Sequence, residues 1–239
     1  MNIDISELGE VYPDFRVAAV TCCNLRIDEQ RSEELHDVIA SREEEVRRRW
    51  VGVEMGEIPG IKVWRDAYRR FGIRRGSYRS SVERLLRNCV NERALPPINA
   101  FVDVYNVVSL THVLPAGAND LSCVKGCLCY RYAAKGDTFH DLADSGEPVD
   151  NPPNEGEVVL ADDEKVLCRR WNWRQDSRSL IQPTTREAVV VIEDNGCGNI
   201  EAAVDDLVDL LGYFCRADAA ITTATAEDPR LELRQPAPA

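Results

Sequence analysis

The chain has 239 residues, 44% of them apolar and 29% charged, which is enough to build a sizeable core and too apolar for global disorder. Its net charge of −12 makes the mean field repulsive to nucleic acid and to anionic membrane, and so excludes a protein that coats either one non-specifically. That mean conceals one exception: between Lys62 and Arg93 ten basic residues stand against three acidic ones, so a basic surface is expected on an acidic body. There is no run of about 18 apolar residues, and Met1-Asn2-Ile3-Asp4 has neither a basic nor an apolar leader region, so no membrane span, no signal peptide and a cytoplasmic location are expected. Nine cysteines is an odd number, so reduced and mostly buried thiols are expected rather than a disulfide framework.

In chain order, Phe15 to Thr21 alternates loosely and is rich in β-branched residues, which predicts a strand entering the core. From Ser32 to Trp50 the apolar residues Leu35, Val38, Ile39, Val46 and Trp50 interrupt a charged sequence, as in a solvated amphipathic helix. After the break at Ile58-Pro59-Gly60, Ile61, Trp64, Tyr68 and Phe71 recur at helical spacing, a pattern that predicts a core-facing stripe. Ser80 and Glu83 form a capping-box signature for a third helix through Cys89. The arginines on and between these two helices, Arg69, Arg70, Arg74, Arg75 and Arg79 among them, provide either a solubilising surface or a docking face for phosphates.

Ile98 to Leu110 is apolar nearly all round, which suits a buried helix. Asn99, Asp103, Asn106 and Ser109 nevertheless fall on one stripe of it, where they either brace a neighbouring loop or line a pocket. Leu114 to Leu121 reads as a turn-rich loop, Cys127 to Ala133 as a strand, and 144–156 as another loop. Three further strands are expected at 158–162, 165–173 and 188–193. A last helix follows, capped by Asn199 and stopped by Gly212, and a frayed tail begins near Asp228. Helices mostly in the first half and short strands in the second predict an α+β domain spanning 1–227.

Chemistry concentrates in Cys168-Arg169-Arg170-Trp171-Asn172-Trp173-Arg174. Each guanidinium and indole there needs partners, and the segment reads as the wall of a site in which an arginine pair would favour a carboxylate or phosphate. Cys123, Cys127 and Cys129 lack a second CxxC or a histidine pair, and His36, His112 and His140 are scattered, so no metal site is expected. GxSxG, Walker A and GxGxxG sequences are all missing, and no cofactor is expected.

The order of five segments adds a family. PPINAFVDVYNVVSL, LPAGANDL, a strand followed by GDTF, VVLADDEKVLCRRWNW and TTREAVVVIE together resemble the B3/B4 domain of the bacterial phenylalanyl-tRNA synthetase β subunit, as it occurs in free-standing proteins. The resemblance runs from about Trp64 to Glu193. It implies a three-layer fold in which a β-sandwich of unusual topology is flanked by helices, and an editing site that hydrolyses mischarged aminoacyl-tRNA esters.

On that resemblance, Glu193 corresponds to a pocket glutamate and Glu193 and Asn106 are the expected catalytic residues. Asn99, Asp103, Gly117, Arg169, Arg170 and Asn172 are expected to bind substrate, and Arg69, Arg70, Arg74, Arg75 and Arg79 to meet RNA. The implied partner is aminoacylated tRNA, with no membrane and no obligate protein partner. Two departures stand out: Ala116-Gly117 replaces a histidine of the synthetase loop, and Arg169 to Trp173 replaces its glycine-rich turn. The alternatives are a non-catalytic RNA-binding module and a small-molecule binder or hydrolase without RNA.

Overall fold

A computed structural model of the chain describes residues 1–74, 78–142 and 146–236. Strand β1 (Asn2–Asp4) and strand β2 (Phe15–Cys23) precede four helices, α1 (Glu33–Trp50), α2 (Pro59–Arg70), α3 (Ser81–Val90) and α4 (Ala100–His112). Strands β3 (Ala116–Asp120), β4 (Cys127–Tyr132), β5 (His140–Leu142), β6 (Pro148–Asp150), β7 (Val158–Ala161), β8 (Val166–Arg169), β9 (Arg174–Gln175) and β10 (Ala188–Asn195) follow. The chain then adds α5 (Ile200–Cys215), β11 (Asp218–Ala224) and β12 (Arg230–Glu232). The fold is α+β, and among the described residues no helix is long and apolar enough to cross a membrane.

Two sheets make the sandwich. One runs β12-β1-β4-β7-β8-β9 and the other β11-β2-β10-β3, with β5 and β6 as a separate hairpin. In the second sheet β10 lies between β2 and β3, antiparallel to both, and its residues Ala188 to Asp194 are all buried, which explains the continuous apolar run Ala188 to Ile192. The sheets face each other: Tyr130 of β4 packs on Phe15 of β2 with ring centroids 5.2 Å apart. Helix α4 is buried along most of its length and packs against α1, α3 and α5, as its nearly all-round apolar sequence requires.

Helix starts follow the expected caps. Ser80 accepts from the backbone N–H of Glu83, and Asn199 from that of Ala202. Gly212 does not stop α5, because Leu211 and Cys215 continue its buried face and Arg216, in the left-handed region, ends it.

Three segments read as loops or tail are paired. Ala116 to Asp120 pairs with β10 as the edge strand β3; Asn119 accepts from Ser179 and Asp120 from Thr185, and Asp120 also closes the turn at Ser122 where the strand ends. Pro148 to Asp150 pairs with β5, and Arg230 to Glu232, placed in the tail by composition, pairs antiparallel with β1.

The strand expected over 165–173 ends at Arg169. Residues 170–173 form the turn between β8 and β9, with Arg170 at φ 47° and Trp171 at φ 65°. Two bulky residues in the left-handed region need tertiary support. Trp171 has it: the indole is fully buried, 4.7 Å from Tyr12, 4.8 Å from Phe15 and 5.2 Å from Trp64 in edge-to-face contacts.

Candidate active site

A cavity of about 370 Å³ opens where α4, β3, β10 and the 170–173 turn converge. Asn106 of α4, Gly117 of β3, Glu193 of β10, and Asn172 and Trp173 of the turn line it, with Arg84 of α3 among the residues around it. Each element positions its residue for a local reason. Helix α4 turns its least apolar face outward at Asn106, while β3, as an edge strand, leaves Gly117 with open space where a Cβ would stand.

Glu193 is 3% exposed. Its Oε1 accepts from the Tyr130 hydroxyl at 2.8 Å and its Oε2 from Asn172 Nδ2 at 2.7 Å. Asn172 Oδ1 in turn accepts from the Tyr68 hydroxyl at 2.9 Å. Burial raises the Glu193 carboxyl from 4.5 to about 8, and the two donors oppose that shift only in part. A carboxyl that exchanges its proton near neutrality inside a cavity is equipped for general acid or base work.

Nucleophilic cysteine chemistry is not supported here. Cys168 lines the cavity, but burial pushes its thiol up and no histidine is among the lining residues. Among the described residues no group of three or more His, Cys, Asp or Glu is arranged to hold a metal ion.

A family model described as the B3/4 domain matches residues 63–195, more than half of the chain. The chain belongs to the B3/4 domain family. A stretch of 83 residues of the chain is 34% identical to the phenylalanine–tRNA ligase beta subunit of Fusobacterium nucleatum. That similarity covers 35% of this chain and 10% of the ligase subunit, so the B3/4 protein spans only a small part of its relative. Asn106, Gly117, Tyr130, Asn172 and Glu193 all fall inside the matched B3/4 region.

The structure brings together four of the residues singled out in the sequence, Asn106, Gly117, Asn172 and Glu193, and separates the rest. Asn99 caps α4 by accepting from Val102 N, and its amide donates to Ile181 O. Asp103 accepts from Arg31 Nε at 2.9 Å and from the backbone N–H of Ile98. Neither lines the cavity, because a stripe spread over three helical turns meets different neighbours at each level.

Arg169 and Arg170 are also corrected. Arg169, 2% exposed, binds both carboxylate oxygens of Glu157 and also the backbone and side-chain oxygens of Asn151. Arg170 shares Glu157 at 3.2 Å and lies over Tyr78 and Trp173, 3.5 and 4.4 Å from their ring centroids. Both guanidiniums fix the turn and leave the cavity wall to Asn172 and Trp173.

Of the arginines expected to meet RNA, Arg69, Arg74 and Arg79 line a second cleft. Arg70 donates to Val11 O and lies over Tyr12, and Arg75 lies outside the described residues.

Tyr130 and Tyr68 were not singled out for the site. Period-2 alternation in β4 does mark Leu128 and Tyr130 as inward, whereas nothing local shows that Tyr130 meets a carboxylate 63 positions away.

The open space at Gly117 makes a direct test of the cavity. Gly117→Leu is expected to leave thermal stability within about 1 kcal/mol, since its φ is unstrained and no atom lies within 4 Å of the new Cβ. Ligand binding in the cavity should be lost. Retained binding would place the ligand elsewhere.

Proposed function

We propose that this B3/4 protein hydrolyses the ester of mischarged aminoacyl-tRNA, with the ester held in the cavity beside Glu193. The observation that carries the reading is the buried Glu193, shifted to about 8 and oriented by Tyr130 and Asn172 in a cavity large enough for a small ligand. The family supports it: the similar ligase subunit acts, by its name, with tRNA, and the arginine-rich surface of α2 and α3 supplies charge of the right sign for phosphates.

An activated ester needs a positioned water and donors for the developing oxyanion more than it needs a covalent nucleophile. Glu193 in its ionised form accepts a proton from water as the water oxygen bonds to the ester carbonyl carbon. The carbon–oxygen bond to the ribose then breaks and the ribose oxygen takes the proton, giving a free amino acid and deacylated tRNA. Asn106 also lines the cavity, and we assign its side-chain amide to orient the ester.

A non-catalytic RNA-binding module is the rival reading, favoured by the arginine-lined cleft. Affinity for tRNA bearing a hydrolysis-resistant amide-linked amino acid, compared with uncharged tRNA at several salt concentrations, separates the two. The editing reading expects the charged analogue to bind more tightly. Equal affinity supports the module.

A further inference from the structure

A second cleft, of about 260 Å³, lies between α2, α3 and the 54–56 segment. It is next to the first cavity: Tyr68, in its wall, donates to Asn172 in the wall of the other, and Ser80 and Ser81 line one each. Five arginines line it against two carboxylates, Glu54 and Glu83.

The charges are not all spent internally. Glu83, almost fully buried, takes Arg65 through both carboxylate oxygens at 2.6 and 2.9 Å, Arg87 at 2.9 Å and Arg79 more loosely at 3.5 Å. Three guanidiniums around one carboxylate leave a surplus of positive charge at the cleft. Arg69 is held by Asp66, whereas Arg74 is exposed and makes no hydrogen bond or ion pair among the described residues. The remaining wall is aromatic and apolar, with Trp64, Tyr68, Tyr78 and Ile73. Trp64 is 1% exposed and its indole N–H has no acceptor among the described residues. A solubilising surface explains exposed arginines, but it does not explain an aromatic recess beneath them with an unsatisfied donor in its wall.

We infer that this cleft is a nucleotide-binding pocket, taking the base against Tyr78 and Ile73 over the buried floor of Trp64 and Tyr68, and the phosphate on Arg74 and Arg79. A base offers a π-face to aromatic side chains and a phosphate offers oxygens to guanidinium forks, which matches the two halves of the cleft. The inference rests on the reading of these arginines as facing RNA phosphates. It sharpens that reading from a diffuse basic surface to a pocket for one nucleotide next to the cavity.

The test is a calorimetric titration of the full chain with AMP, CMP, adenosine and inorganic phosphate. AMP or CMP is expected to bind saturably, with adenosine and inorganic phosphate each about tenfold weaker or more, the worth of one charge-assisted hydrogen bond. Arg74→Ala, which removes no hydrogen bond or ion pair among the described residues, is expected to weaken AMP by a similar factor, and Glu193→Gln to leave AMP binding unchanged. Competition of AMP by an RNA minihelix with a single-stranded 3′ end would assign the nucleotide to RNA; its absence would assign the pocket to a free nucleotide.

The inference is overturned if no nucleotide saturates by about 10 mM, a binding free energy weaker than about −2.7 kcal/mol. It is equally overturned if phosphate binds as well as AMP, or if Arg74→Ala changes nothing. Nucleotide binding without deacylation would remove only the enzymatic reading. Deacylation that is indifferent to Arg74→Ala, without nucleotide binding, would remove only this one.

Discussion

Replacing Glu193 by glutamine is expected to abolish ester hydrolysis while leaving the protein folded, a loss of about 10²- to 10⁴-fold if Glu193 is the general base. Glutamine keeps both contacts: its carbonyl accepts from Asn172 Nδ2 and its amide donates to the Tyr130 hydroxyl, which changes from donor to acceptor and gives up the acceptor for its own O–H. The pH dependence follows from the same carboxyl. A base shifted to about 8 becomes competent as pH rises, so enzyme-dependent hydrolysis, corrected for the buffer rate, should climb from pH 6, reach half its maximum near 8 and level above about 9. Tyr130→Phe removes a hydrogen bond that favours the ionised form, and should move the profile to higher pH.

Stability runs the other way. Because the folded-state value is raised, the folded protein binds the proton more tightly than the unfolded chain between pH 4.5 and about 8. Its contribution is present below 4.5 and is lost as pH rises through that window. Glu193→Gln, which has no proton to lose, should flatten the decline in melting temperature from pH 5 to 8. A wild-type curve parallel to that of the variant would show that the carboxyl is not shifted.

Glu157→Ala is expected to be among the most destabilising single changes outside the apolar core. It strips the only carboxylate bound, among the described residues, to the buried Arg169 and Arg170, and removal of one partner of a buried ion pair costs about 3–5 kcal/mol. For a chain of this length that corresponds to about 6–20 °C in melting temperature. Since the two arginines hold the 170–173 turn, Asn172 should also lose its place beside Glu193, and activity should fall even where the variant remains folded. A shift below about 2 °C would mean that the arginines are not held as described, and would return them to the cavity wall.

The helices and the central strand β10 were legible because their apolar periodicity and caps are local signals. The placement of Glu193 and Asn106 at one cavity followed from family order, since the two lie 87 positions apart on a strand and a helix. The 170–173 turn was not legible. Arginine and tryptophan rarely adopt the left-handed region, and here the conformation is imposed by the aromatic cluster around Trp171 and by Glu157. The same pairing across the sheet misdirected the reading of Arg169 and Arg170, whose chemistry suggests a ligand until their carboxylate, Glu157 just before β7, is found. Asp103 was misread for a similar reason: Arg31, 72 positions earlier, satisfies it.

The family resemblance also placed a glycine-rich turn at Arg169 to Trp173, and a turn is what the structure has there, built with bulky residues. Trp173 therefore stands in the wall of the cavity where a glycine-rich turn would leave backbone. This narrows the cavity beside Glu193 and makes the acceptable side chain a matter for direct assay.

The most direct measurement is release of labelled amino acid from a full panel of mischarged tRNAs by the purified protein at pH 7.5, with Gly117→Leu as the blocked-cavity control. At least one ester should be hydrolysed well above the buffer rate, and Gly117→Leu should return it to that rate. Folded wild-type protein that accelerates none of them, or a Gly117→Leu variant as active as the wild type, would contradict ester hydrolysis in this cavity.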